Sequence, residues 1–231
     1  MQDDVVAIIP ARGGSQRIPR KNARDFNGRP IISWPLAACA TADVISQVVV
    51  STDDQEIAQI SRNSGADLVI DRPAELATDA AGTAPVIKHA IDALGLDDDT
   101  FVLCLYPTAT VTSSLVEDAI RLAGSYPEEF VISVGRHRSP WERSLERSEG
   151  NLMSLSSTEH MLTRTQDLPQ RYFDAGKLYI ARVSVWRARE TMMEAPFVPF
   201  HLPDWATVDV DEPDDWAVAE ALHRVFVLER S

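Results

Sequence analysis

The side chains best suited to chemistry gather in two stretches near opposite ends of the chain. The first holds Arg12, Gly13, Gly14, Ser15, Arg17, Arg20, Lys21 and Asn22. Glycines let the backbone turn tightly and aim amides at an anion, and Ser15 adds a hydroxyl donor. Arg12 and Lys21 can neutralise the spread charge of a triphosphate. The second stretch, Thr207 to Pro213, sets Asp209 and Asp211 two residues apart. Read as a short strand over Thr207 to Asp211, it puts both carboxylates on one face. Two adjacent hard oxygen ligands suit Mg²⁺, which commonly binds through one or two carboxylates plus substrate phosphates. Each stretch also has a plain structural reading: a glycine turn with solvated arginines, and an acidic helix start in which Asp214 and Asp215 favour the helix dipole.

The elements that must position these groups follow from periodicity. Val5 to Ile9 is an apolar run of strand length that delivers the basic loop at Pro10, the place where α/β sheets bind phosphates. Asn27-Gly28 marks a turn, and Pro30 is expected at the first position of a helix through IISWPLAACATA. Gln47 to Thr52 is a second strand, and Asp54 to Gly65 a helix with Gly65 as its stop. Asp67 to Ile70 is a short strand, and Arg72 to Thr83 a loop whose Thr83 is expected to cap the helix PVIKHAIDAL. Thr100 to Tyr106 and Phe130 to Gly135 are further strands, with a helix opening at Ser113 or Ser114 between them. Lys177 to Arg182 is a late strand, and Glu212-Pro213 starts a closing helix. This βα alternation predicts a single α/β domain over residues 1–231, its mostly parallel central sheet flanked by helices. Residues 137–170 break the rhythm: polar and without helical period, they read as a structureless excursion, functional or an interaction arm.

Composition narrows the classes. Lys+Arg 22 against Asp+Glu 35 gives a net charge of −13, which argues against a nucleic-acid surface. No apolar run approaches the ~20 residues that span a bilayer, and the acidic MQDDVV start carries no secretory pattern. A cytoplasmic protein with no membrane partner is expected. Cys39 and Cys104 sit in apolar segments and read as reduced, buried thiols. The histidines show no ligand spacing. Asp53, Asp54 and Asp79 read as helix caps and loop turns.

The motif PARGGSQRIPRKN, from Pro10 to Asn22, resembles the signature of the nonulosonic acid cytidylyltransferases, the CMP-sialic acid synthetase family. VVVSTDDQEIA, RPAELATDAAGT, TRTQDLPQRYFDAGKLYI and VDVDEPDDW resemble its later motifs, so the resemblance covers nearly the whole chain. RIPRKN and Asp174-Ala175-Gly176 look most like the pseudaminic acid branch. Sialic acid enzymes typically carry Gln where this chain has Tyr106, and Asn-Gly where it has Ala175-Gly176.

The resemblance implies a Rossmann-like nucleotidyltransferase fold, GT-A-like, with 137–170 as a protruding dimerisation arm and a homodimer as the working form. It implies Mg²⁺-dependent transfer of CMP from CTP to the anomeric hydroxyl of a nine-carbon 2-keto sugar acid, with pyrophosphate released. Pseudaminic acid is the first choice of sugar; N-acetylneuraminic or legionaminic acid is the alternative. Carried over, the catalytic roles fall on Arg12, Lys21 and Asp211, and the metal on Asp209 and Asp211. Nucleotide contacts fall on Ala11, Arg12, Gly13, Gly14, Ser15, Lys21, Asn22, Arg72 and Thr83. Sugar contacts fall on Tyr106, Arg164, Gln166 and Tyr179, with Arg164 serving its own or the partner subunit's pocket.

Rival classes fit less well. A glycosyltransferase would keep its Asp-x-Asp pair near mid-chain, and an NAD(P) oxidoreductase would show G-x-G-x-x-G, which Gly13-Gly14 lacks. A non-catalytic nucleotide-binding module would not need both the loop and the carboxylate pair.

Overall fold

Alternate residues of the first strand enter different cores, which is why it is apolar without interruption. A computed structural model describes residues 4–15, 17–78, 80–150 and 152–230; Asp79 lies outside them. The first strand, β1 (Val5–Pro10), leads through the basic loop to a hairpin, β2 (Asp25–Phe26) and β3 (Arg29–Pro30). Asn27 and Gly28, with φ of 50° and 94°, form its two-residue turn, the backbone that Asn-Gly favours. Pro30 therefore ends a small strand, and the helix α1 (Ser33–Ala40) starts three residues later. Pro35 stays in its first turn, where no amide is missed.

Next come β4 (Gln47–Thr52), α2 (Gln55–Asn63) and β5 (Leu68–Asp71). The helix α3 (Thr83–Leu94) has Gly82 at its N-cap with no side-chain cap. The Thr83 hydroxyl does not cap it, being paired with the Tyr106 phenol instead. Then follow β6 (Phe101–Leu105), α4 (Ser113–Gly124) capped by Thr112, and β7 (Phe130–Arg136). Residues 137–170 are not structureless: they carry the small hairpin of β8 (Leu145–Arg147) and β9 (Met153–Leu155). Their base is closed by the His137 amide donating to the Arg171 carbonyl at 3.0 Å. The chain ends with β10 (Tyr172–Arg182), α5 (Val183–Ala188), β11 (Phe197–His201) and α6 (Pro213–Phe226).

Among the described residues, seven strands form one sheet in the order β11-β7-β10-β6-β1-β4-β5. Only β10 runs antiparallel to its neighbours. Val5, Ala7 and Ile9 pack under Leu36 of α1 and Val116 of α4, and Val6 and Ile8 under Ile87 and Ile91 of α3. Cys39 and Cys104 are free and buried, and burial pushes the Cys39 thiol up to about 12.

A third, smaller cluster joins the two ends of the chain. Ile18 of the basic loop, Phe26 and Ile31 around the hairpin, and Val210 and Trp216 at the carboxyl end pack together. The Asn27 amide donates to the Glu220 carbonyl of α6 at 2.9 Å and faces His223 Nδ1 at 3.1 Å.

Candidate functional site

Beyond the carboxyl ends of β1 and β6 the molecule opens into a cleft of about 440 Å³. Its floor begins where Pro10 ends β1 and the chain leaves the sheet. The loop that follows is held from below by the end of β4. The Gly13 amide donates to Asp53 Oδ1 at 3.0 Å, and Arg20 donates to Asp54 Oδ1 at 3.1 Å and also pairs with Glu56. Arg20 keeps the Asp54 carboxyl below the usual carboxylate range. Asp54 also caps α2 through the Ile57 amide at 3.0 Å. Asn22 is buried, and its amide donates to the Arg12 carbonyl at 2.9 Å, closing the loop on itself.

Arg12, Ser15, Arg17 and Lys21 line the cleft from this loop, and Arg72 joins them from the end of β5. Arg72 is buried, donating to the Ser51 carbonyl at 2.6 Å and the Ser51 hydroxyl at 3.2 Å. Burial pulls the Lys21 ammonium below its ordinary value, opposed by the fields of Asp209 and Asp211. The two ends of the sequence thus meet in one cavity.

Thr207 to Asp211 does not form the expected strand; it runs beside the cleft with no ladder partner. Its alternation survives because Val208 and Val210 are pegs in the small third cluster. Asp209 and Asp211 consequently both line the cleft. Arg17 pairs with Asp211 at 2.9 Å, and Lys177 approaches Asp209 at 3.5 Å. The segment is stopped by a capping box in which Glu212 and Asp215 satisfy the first amides of α6.

Opposite stand two tyrosines, Tyr106 after β6 and Tyr179 on β10, with ring centroids 6.2 Å apart. The Tyr179 phenol donates to Asp174 Oδ2 at 2.6 Å, and Asp174 also accepts from the Gly176 amide at 2.9 Å. Burial raises both phenol pKa values, so both remain hydroxyl donors at neutral pH.

Of the residues singled out in the sequence, Arg12, Ser15, Lys21, Asn22, Arg72, Thr83, Tyr106, Tyr179, Asp209 and Asp211 line this cleft. Ala11, Gly13 and Gly14 do not. Ala11 is fully buried and extends the β1–β4 pairing through Ser51. Gly13 spends its amide on Asp53 and serves close approach: a Cβ there would sit 2.7 Å from Asp54 Oδ2. Arg164 and Gln166 are exposed in the 137–170 excursion, outside the cleft of their own chain.

Two lining cations carry no assigned role in the sequence reading: Arg17, named there only as part of the basic loop, and Lys177. Lys177 was hidden inside KLYIAR, read only as a strand. The signal was there, since a lysine amid apolar strand residues is unusual in a chain with three lysines.

Among the described residues, five cations against two carboxylates line the cleft in a strongly acidic chain, with hydroxyls on one wall. No histidine or cysteine lines it among the described residues. Such a site can grip a polyanion and stabilise charge moving on it. Among the described residues no three His, Cys, Asp or Glu side chains gather for a metal. A two-carboxylate wall is the donor set of an ion that completes its shell with phosphate and water.

Residues 6–200 match the family model described as Cytidylyltransferase. The chain is 31% identical over 223 residues to a pseudaminic acid cytidylyltransferase of Campylobacter jejuni, covering 95% of this chain and 96% of that protein. It is likewise 31% identical over 227 residues to a CMP-N,N'-diacetyllegionaminic acid synthase of Legionella pneumophila, covering 94% and 95%. Among solved structures, CMP:2-keto-3-deoxy-manno-octonic acid synthetase complexed with CTP shares the fold, with a TM-score of 0.69 at 17% identity over 98% of this chain and 100% of that one. No helix among the described residues is long and apolar enough to cross a membrane.

Proposed function

The chain belongs to the cytidylyltransferase family and is an enzyme of the nonulosonic-acid CMP-synthetase type, and from that premise we propose that it joins CMP from CTP to pseudaminic acid with Mg²⁺. The observation that carries the reading is the meeting of Lys21 and Arg12 with Asp209 and Asp211 in one cleft. In the reaction the anomeric hydroxyl oxygen bonds to the α-phosphorus of CTP. The bond from that phosphorus to the bridging oxygen breaks, pyrophosphate leaves, and the hydroxyl proton is released.

Arg12, Ser15 and Lys21 hold the triphosphate, and Lys21 stabilises charge that builds on its oxygens. Thr83 and Arg72 border the nucleotide, and Asn22 keeps the loop folded around it. Asp209 and Asp211 would hold a Mg²⁺ ion, which when bound adds positive charge at the α-phosphate and eases loss of the hydroxyl proton. Asp211, paired with Arg17 at 2.9 Å, would give up that pairing to hold the cation, which would leave the arginine able to face phosphate. Tyr106 and Tyr179 offer hydroxyls to the sugar.

Residues 137–170 supply a second copy's docking surface in this reading. Trp141, Leu145, Leu152, Met153, Met161 and Leu162 are all exposed there, Leu162 to 91%. Apolar exposure on that scale marks an interaction site, and it would carry Arg164 and Gln166 to a partner's cleft.

Pyrophosphate release with CTP and a sugar panel tests the reading. The highest kcat/KM is expected with pseudaminic acid. The equal identity to the legionaminic acid synthase makes that sugar the competitor; a higher kcat/KM for it would reassign the substrate, and silence with every nonulosonic acid would remove the function. Sedimentation is expected to show a dimer that Leu162→Asp dissociates.

A further inference from the structure

A lysine is rarely buried unless something holds its charge, and Lys177 is 3% exposed at the wall of the cleft. Its backbone is fixed on both sides: its amide donates to Ser133 Oγ at 3.1 Å, and its carbonyl accepts from the Tyr106 amide at 2.9 Å. The following amide, of Leu178, donates to the same hydroxyl at 3.1 Å. The root of this side chain therefore cannot drift. Its ammonium makes one short bond, to the Val208 carbonyl at 2.7 Å, and stands 3.5 Å from Asp209 Oδ1. An ammonium has three donors, so capacity remains for whatever fills the cavity that it lines.

The other described cations of the cleft already have roles: Arg72 is bound to Ser51, and Arg12, Lys21 and Arg17 are placed on the triphosphate above. Arg164 is exposed outside the cleft of its own chain, and would reach a cleft only across the dimer. Lys177 shares β10 with Tyr179, between the tyrosine wall and the carboxylate pair.

We infer that Lys177 receives the carboxylate of the sugar acid, and so sets the attacking hydroxyl beside Asp209 and Asp211. The inference rests on the nonulosonic-acid reading above. In the ring form of a 2-keto sugar acid, carboxylate and anomeric hydroxyl are carried by the same carbon. Fixing the one at Lys177 fixes the other next to the segment that Lys177 already touches. A neutral sugar would leave one donor of a desolvated ammonium without a charged acceptor, which is how a buried polar site rejects the wrong ligand. Lys177 would then select for acids and orient the nucleophile with one contact.

The test compares kcat/KM for a nonulosonic acid and for its C1 carboxamide in wild type, Lys177→Met and Lys177→Gln, with CTP binding followed by calorimetry. Wild type is expected to favour the acid on the order of 10²-fold. Both variants are expected to lose that preference to within a few-fold, with KM for the acid raised at least about tenfold and CTP affinity nearly unchanged. Retained preference in the variants overturns the inference. So does a parallel loss for acid and carboxamide, or loss of CTP binding in both variants, since either would make Lys177 a prop for residues 207–211. Wild type inert with CTP and every nonulosonic acid defeats the functional reading itself, and this inference with it.

Discussion

The loop after β1 and the segment before α6 face the same cleft, yet they are held by opposite means. Apart from Ile18 in the shared cluster, the loop is held by polar contacts. Gly13 to Asp53 and Arg20 to Asp54 and Glu56 tie it to the end of β4 and the start of α2, and Asn22 ties it to itself through the Arg12 carbonyl. The carboxylate segment is held mainly by apolar pegs, Val208 and Val210, with Lys177 beneath it. A cation count therefore overstates the loop. Arg20 is an anchor and Lys21, its neighbour, faces the cleft; the left-handed backbone at Arg20, φ 57°, turns them apart. On the carboxylate side few charges are needed for structure, so both aspartates remain at the cavity.

The largest expected effects fall on the residue of each region that faces the cleft. Lys21→Ala and Asp211→Ala should each lower kcat/KM with CTP by about 10²–10³, with the melting temperature little changed. Near-normal turnover in either, fold intact, would break the pairing of the two regions.

Intermediate effects should expose the loop's polar anchoring. Asp54→Ala removes a helix cap and the partner of Arg20, so unfolding free energy should fall by about 1–2 kcal/mol and KM for CTP should rise. Gly13→Ala pushes a methyl to 2.9 Å from the Asp54 Cβ and should cost about 1–3 kcal/mol by overpacking. In the Asp54→Ala background the Oδ2 and Cγ contacts are gone while the 2.9 Å approach to Cβ stays, so part of the overpacking is relieved and the two costs should not add. Strict additivity in denaturant titrations would mean that Gly13 is not held against Asp54.

A last effect belongs to α6 and appears only in acid. His223, buried in α6 against Phe26 and Trp34, has its pKa lowered by burial to about 4. Its folded pKa lies below the unfolded value near 6.5, so the unfolded chain binds the proton first. Its stabilising contribution is then complete above about pH 6.5 and shrinks as pH falls toward about 4. Urea midpoints should decline over that window, and His223→Gln should flatten the decline.

Much of this architecture could be read from the chain, for identifiable reasons. Strands such as β1, β4, β6 and β7 are covered on both faces, so their sequences are continuous apolar runs. The edge strand β11, FVPFH, gave no such signal: it carries a proline and only its β7 side is paired. Val208-Asp209-Val210 alternates as a strand would, yet alternation reports which side is buried and is silent on a partner for the backbone. Pro30 and Thr83 misled for a related reason. Proline suits a helix start and threonine a cap, but the Asn-Gly turn claimed the first and the Tyr106 phenol the second. For the cleft, residue type gave the loop cations and the aspartate pair, and the resemblance gave Arg72, Thr83, Tyr106 and Tyr179, while Lys177 needed the packing of β10 to become visible.

The shared cluster of Ile18, Phe26, Val210 and Trp216 makes one jaw of the cationic and acidic walls. Prising them apart would wet several large apolar side chains, each worth about 1.5–3 kcal/mol when buried. Leu76, Thr78 and Gly82, which line the cleft from the chain between β5 and α3, belong to no such cluster. The cations of the loop and the aspartates before α6 are thereby kept in register by side chains that carry no charge.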